Sequence, residues 1–391
     1  MAGATTSRAW PVAPGESLAQ AVQQAADGDV IELLAGEHRG QSAVILQRSL
    51  TLRGVGGPVV MHADGQHAEG KALLVIRNGD VRIEGLEFRG ARVLDANGAG
   101  IRFERGRLVV QRCGFFDNQM GLLSGNHPDA ELQVLDCRFG AAPANLQSLA
   151  HLLYVGHIAR LTVQGSRFGG GHRGHLLKSR ARENHVLYNH LVDGPRGQAS
   201  YELEFPNGGF ARVVGNVLSQ GRATRNLTML AFGAEGMGGT AVPVGGPAGS
   251  AEVGNLVGSG RSQILLLAHN TWINHSPEPA RFVRLHRLGL GQPLRVLAQN
   301  NLFIGAGGAD LAWRDETLGN HALELAADAG YEMAAADETG LAGLPAFLRG
   351  KAVPAAQEQG WLLRPTGQFA APAGVQPLAA GLQLTPGAHQ P

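Results

Sequence analysis

The chain has 391 residues, 57 of them glycine, with 5% aromatic and 17% charged residues and a formal net charge of +1. An ordinary apolar content of 44% excludes disorder driven by charge, and glycine without a three-residue period excludes collagen. Polar residues interrupt every apolar run too early for a membrane-spanning helix, and the neutral balance argues against a dedicated nucleic-acid protein.

Glycine at about twice its usual share of roughly 7%, with few aromatics, points to many turns and a repeating β architecture. The opening MAGATTSRAW lacks the charged and apolar runs of a signal peptide. The expectation is a periplasmic or secreted protein whose signal peptide is absent from this sequence, with the cytoplasm as the alternative. Residues 17–26, SLAQAVQQAA, read as a short helix, and DVIELLAGEHRG reads as the first strand. A helix at one end of a solenoid protects its open edge.

Short strand-like segments then recur: VRIEGLEF, LVVQRCGF, QVLDCRF, TVQGSRF, VLYNHL, VVGNVL, LLAHNTW and VLAQNNL. They end on Phe88, Phe115, Phe139, Phe168, Leu191, Leu218, Trp272 and Leu302, at separations of 27, 24, 29, 23, 27, 54 and 30 residues. A period of 23–30 residues is a solenoid signature, and the separation of 54 reads as two periods, with an extra coil in or near 227–262. Two positions earlier stand Leu86, Cys113, Cys137, Ser166, Asn189, Asn216, Asn270 and Asn300. That offset predicts a second inward column of stacked amides, with the two cysteines one coil apart, reduced or bridged. RGVGG (53–57), GGGHRG (169–174) and NGG (207–209) read as turns between coil faces.

The opening ESLAQAVQQAADGDVIELLAGEHRG, the coil period and the asparagine column resemble right-handed parallel β-helix proteins of the pectate-lyase-like superfamily. The resemblance spans residues 14–305. It implies an all-β, right-handed parallel β-helix with a short N-terminal capping helix. The whole chain, 1–391, is then one domain, with 306–391 as a closure of loops and short helices.

Chemistry should lie where outward residues depart from a generic surface. In register, HLLYVGH (151–157), HLLKSRAR (175–182) and YELEFPNGG (201–209) stack His151 on His175 and Tyr154 on Lys178, with Glu202 and Glu204 next to Lys178 and Arg180. Two of the four tyrosines, Tyr154 and Tyr201, and one of only three lysines fall here. A solvated ladder of ion pairs accounts for part of this. The functional alternative is proton transfer at a sugar carbon. Elimination from a uronic acid needs a cation on the carboxylate, a base for the C5 proton and an acid for the leaving oxygen. Arginine suits the first role. A lysine beside other cations, its pKa lowered, suits the second.

GHLLKSRARENHVLYNHLVDG is similar to the lysine-bearing coil of the alginate lyase and chondroitinase B family. The similarity implies Lys178 as base. It also implies calcium held by acidic residues, for which Glu202 and Glu204 are the candidates, and an acidic polysaccharide or oligosaccharide as substrate. That family carries a donor arginine in the next coil, where this chain has Glu204, Phe205 and Pro206. The donor candidates here are therefore Arg180, Tyr154 and Tyr201, with His175 beside them. Arg182, His151, His157, His172, Arg173 and Asn207 are candidate substrate ligands, with Asn207 read alternatively as a left-handed turn residue.

Other readings stay open. Glu202 and Glu204, about 6.6–7 Å apart along a strand, suit a glycoside hydrolase. A C5-epimerase would abstract the same proton. A non-catalytic glycan-binding or surface-assembly protein would share the scaffold. The glycine-rich span 233–260 reads as a long loop bordering the cleft.

Overall fold

A computed structural model of the protein describes residues 7–144, 149–236, 263–287, 290, 293–311 and 320–323. Within them the chain is a parallel β-solenoid with three faces. A ten-stranded sheet from Ala43–Ile45 to Gly307–Ala309 forms the first face. The other two faces count as one sheet because Ser49–His62 bends across the corner, pairing with Asp80–Glu84 at one end and Glu87–Arg89 at the other.

Every strand pairing in these sheets is parallel and joins equivalent segments of successive coils. On the first face Leu122, Leu153, Leu177, Leu203, Leu230 and Val283 lie in one row. All six are fully buried. Alternation along a strand turns their neighbours outward: Leu123, Tyr154, Lys178, Glu204, Ala231 and Arg284 form the adjacent row. The third face stacks Phe88, Phe115, Phe139 and Phe168, with ring centroids 5.1, 4.6 and 4.6 Å apart. Offset stacking of this kind adds to the burial of the rings.

The expected helix forms as Leu18–Gln24, capped by Ser17, whose hydroxyl accepts from the Gln20 amide. Leu18 and Val22 are its buried residues. The strand expected from Asp29 runs Val30–Arg39, and Ala9–Val12, absent from the sequence reading, pairs ahead of it.

Three expectations are corrected. The predicted segments are not single strands: each holds a corner between the second and third faces. The corner residues Gly85, Arg112, Asp136, Gly165, Tyr188, Gly215, His269 and Asn300 all have positive φ, between 51° and 69°. The column inside the corner is buried because the chain bends around it. Secondly, Trp272 pairs with Phe303 rather than Leu302, which puts Asn301 in the column and Asn300 at the bend. Asn189 Nδ2 donates to Asn216 Oδ1, Asn216 Nδ2 to Asn270 Oδ1, Asn270 Nδ2 to Asn301 Oδ1 and Asn301 Nδ2 to Asn320 Oδ1, each at 3.0 or 3.1 Å. Thirdly, Leu218 pairs directly with Trp272. The separation of 54 residues is one coil with a long insertion between Thr228–Phe232 and Gln263–Ala268. Its residues 237–262 lie outside the described set.

RGVGG lies inside the long strand Ser49–His62, whereas GGGHRG and NGG occupy corners as expected. Cys113 and Cys137 are buried free thiols, one coil apart. The strands Gly307–Ala309 and His321–Leu323 carry the first and third faces past residue 305. The remainder of the expected closure, 312–319 and 324–391, lies outside the described residues. Among the described residues no helix is long and apolar enough to cross a membrane.

Candidate active site on the first face

The three-residue strands Leu153–Val155, Leu177–Ser179 and Leu203–Phe205 bring the candidate side chains together. Tyr154 pairs in register with Lys178, and Lys178 with Glu204. Lys178 Nζ lies 3.1 Å from Glu204 Oε2 and 2.9 Å from Glu235 Oε1. Arg180 Nη1 lies 2.6 Å from Glu235 Oε2, Nη2 donates to Oε1 and Nε donates to the Tyr154 hydroxyl at 3.1 Å. Asn207 Oδ1 accepts from Arg180 Nη1 at 2.7 Å, while its Nδ2 donates to the Gly236 carbonyl. Two cations and an amide thus form a cradle, and the carboxylate of Glu235 fills it.

Behind Glu204 stands a column of rings. His175 Nε2 donates to Glu204 Oε2 at 2.8 Å. His151 Nδ1 accepts from the His175 amide at 2.9 Å, so the proton of neutral His151 sits on Nε2. The His151 and His175 rings meet edge-on, as do His151 and Tyr154, and His175 and Tyr201.

Electrostatics follow from this packing. Burial disfavours the charge on Lys178, but Glu204 and Glu235 outweigh it and hold the ammonium above its ordinary pKa. The expected lowering is therefore reversed, because carboxylates rather than cations dominate its surroundings. Burial likewise opposes ionisation of Glu235, yet hydrogen bonds from Arg180 and Lys178 pull its pKa down to about 2. For Glu204, burial is outweighed by His175 and Lys178, and the pKa falls. His151 is held neutral by burial first, then by the charge of its neighbours.

Glu202 does not join Glu204. It is 1% exposed, and burial together with the nearby Asp193 carboxylate raises its pKa well above the carboxylate range. The two glutamates therefore titrate in opposite directions, Glu204 lowered and Glu202 raised. The implied calcium finds no matching cradle: Glu204 is engaged by His175 and Lys178, and Glu202 faces Asp193. Among the described residues no three His, Cys, Asp or Glu side chains gather to hold a metal ion.

The remaining candidates lie on corners flanking the strands. His157 follows Val155, with its amide donating to Asn126. His172 is bridged by backbone to Ala150 and Gln198, and Arg173 beside it is exposed at φ 63°. Arg182 donates to the Pro128 carbonyl. The left-handed residues of the NGG corner are Gly208 and Gly209 (φ 66° and 98°), which leaves Asn207 to bind Arg180. Sequence reasoning missed Glu235. Its one signal is that it is the only acidic residue of NLTMLAFGAEG (226–236), the segment in register with the candidate strip.

By its coil register the chain is a parallel β-helix protein. No family model matches the sequence, and no curated protein is similar to it. Among solved structures it is similar to a PL6 family alginate lyase, AlyGC, with 16% identity and a TM-score of 0.47, over 78% of this chain and 40% of that one. It is also similar to pectate lyase Pel9A, with 12% identity and a TM-score of 0.38, over 79% and 80% of the two chains. A third is ORF18 of Geobacillus virus E2, with 11% identity and a TM-score of 0.38, over 71% and 60%. The chain thus spans well under half the length of the alginate lyase.

Proposed function

We propose that this protein binds an acidic polysaccharide on its first face and cleaves it by β-elimination at a uronic acid. The observation that carries this reading is the carboxylate of Glu235, held by Lys178 and Arg180 at 2.9 and 2.6 Å. The cradle is built for a carboxylate, and a substrate uronate is a carboxylate that can replace Glu235.

In that exchange Arg180 takes the uronate carboxylate, and its charge acidifies the C5 proton. Lys178 is the base. It acts only as the free amine: when the substrate displaces Glu235, one of the two carboxylates that hold the Lys178 proton leaves, and that proton is released to solvent. The C5 proton then moves to Lys178 Nζ, and the C–H electron pair becomes the C4–C5 double bond. The C4–O bond breaks, and the leaving oxygen takes the Tyr154 phenolic proton. The Tyr154 oxygen already accepts from Arg180, so its own proton points away from that bond. Tyr201, half-buried at the edge of the strip, positions a sugar ring by stacking, and His151 supports the Tyr154 ring from behind.

A second reading is binding without turnover. It is favoured by the raised pKa of Lys178 and Arg180, which keeps both cations charged. Incubation with a panel of acidic and neutral polysaccharides separates the two. Elimination gives new ultraviolet absorbance from the unsaturated uronate together with new ends, whereas hydrolysis gives ends alone. Silence on every polymer, with binding retained, replaces the lyase by a glycan-binding protein.

A further inference from the structure

Beyond Glu204 the outward row continues through Ala231 to Arg284. There the segment Gly233–Gly236 and the strand Ala280–Leu285 with its exit enclose an open cavity of about 630 Å³. Its walls carry Arg281, Arg284, His286 and Arg287 against two acids, Glu235 and Asp310. Both acids are engaged. Glu235 belongs to Lys178 and Arg180, while Asp310 pairs with Arg281 and accepts from the Leu285 amide. Arg284 and Arg287 have no acidic partner among the described residues, and both are exposed. His286 couples the cavity to the cradle: burial first, then Arg284, lowers its pKa, against the pull of Asp310 and Glu204.

We propose that this cavity is a second anion-binding site, with Arg284 and Arg287 as its charged ligands and His286 as a neutral donor. The chemical class it takes is a carboxylate or sulfate carried by the same polymer that occupies the Lys178–Arg180 cradle. The identity of that polymer rests on the lyase reading; the site itself rests on the unpartnered cations. Three strand spacings of about 4.8 Å separate Lys178 from Arg284, roughly 14 Å along the solenoid axis. Only an oligomer spans both. Glu235 lines the cavity and fills the cradle, so it forms the partition between the two sites.

The test is a binding titration of the whole protein with galacturonate oligomers of two and six sugars and with dextran sulfate, at fixed ionic strength. The wild type and the Arg284→Gln/Arg287→Gln double variant are compared. The expected result is hexamer bound more tightly than dimer by about tenfold, with that advantage lost in the double variant, as for removal of charge-assisted hydrogen bonds. Equal affinity for dimer and hexamer in both proteins overturns the second site and leaves the lyase reading standing. Hexamer or dextran sulfate binding that weakens in the double variant, with no polymer cleaved, retains the second site and removes the lyase. Absence of binding to every probe overturns both. A circular dichroism spectrum matching the wild type establishes that the exposed substitutions leave the fold intact.

Discussion

Arg180 lies 2.6 Å from Glu235, a residue 55 positions later that follows the strand Thr228–Phe232. The pair is an internal competitor for any anionic ligand. Replacing Glu235 with Gln removes the competing charge, and affinity for a uronate oligomer should rise about tenfold, given the usual worth of a charge-assisted contact. Weaker binding in Glu235→Gln would show instead that the carboxylate is part of the ligand site.

Lys178→Gln should lower kcat by two to four orders of magnitude, the range for loss of a general base, with a smaller change in KM. Glu204→Gln removes one of the two carboxylates that hold the Lys178 proton, so the basic requirement in the pH profile of kcat should move to lower pH. If Glu204→Gln is inactive while Lys178→Gln retains full turnover, the lysine is not the base.

The buried acids give stability a pH dependence of known sign. Asp193, bonded to the amides of Gly171 and Ala199, has its pKa raised to about 6 by burial, and Glu202 is raised in the same sense. An acid with a raised folded-state pKa favours folding when protonated. Its contribution is full below the ordinary carboxylate value and is lost as pH climbs through about 6. Glu235, at about 2, works oppositely: its contribution is present above the ordinary value and is lost as pH falls toward 2. Thermal unfolding should therefore show Tm falling between pH 4 and 7, and Glu202→Gln should flatten that slope. A slope unchanged by Glu202→Gln would assign it to other groups.

Asn216 accepts from the Asn189 amide and side chain and donates to Val186, Val214 and Asn270, all out of water. Asn216→Leu strands these partners and should cost about 2–5 kcal/mol in urea unfolding. A loss below about 1 kcal/mol would mean that the column contributes packing rather than bonding.

The corners offer a converse test. Arg112 holds φ 51° with a full side chain, so Arg112→Gly should stabilise the fold by up to about 1 kcal/mol. Gly215→Ala should destabilise it, since a Cβ there would meet the Tyr188 ring at 2.5 Å. Denaturation midpoints that move the other way would refute the corner geometry.

Much of this was readable because parallel coils translate sequence offset into register. Tyr154, Lys178 and Glu204 fall in line without a bulge between them, so aligning the leucines of successive coils sufficed. The column was readable for the same reason as far as Asn270, but not at Asn301 or Asn320. In the dipeptide Asn300–Asn301 either residue fits the pattern, and only backbone conformation decides which takes the bend. Glu235 was hidden because its contacts with Lys178 and Arg180 depend on how the chain leaves a strand, for which no periodic signal exists. The failure at Glu202 has another cause. Two residues on one strand share a face only while the strand is regular, and the strand there begins at Leu203.

The direct pairing of Leu218 with Trp272 also bears on how the solenoid assembles. The bond from the Asn216 amide to Asn270 Oδ1 closes a loop of 54 residues where neighbouring coils close about half that. Closure entropy grows only with the logarithm of loop length, so doubling one coil costs about 0.6 kcal/mol. One well-placed amide in the column offsets that. A solenoid can therefore lengthen one coil almost without penalty, while the coils on either side keep their register.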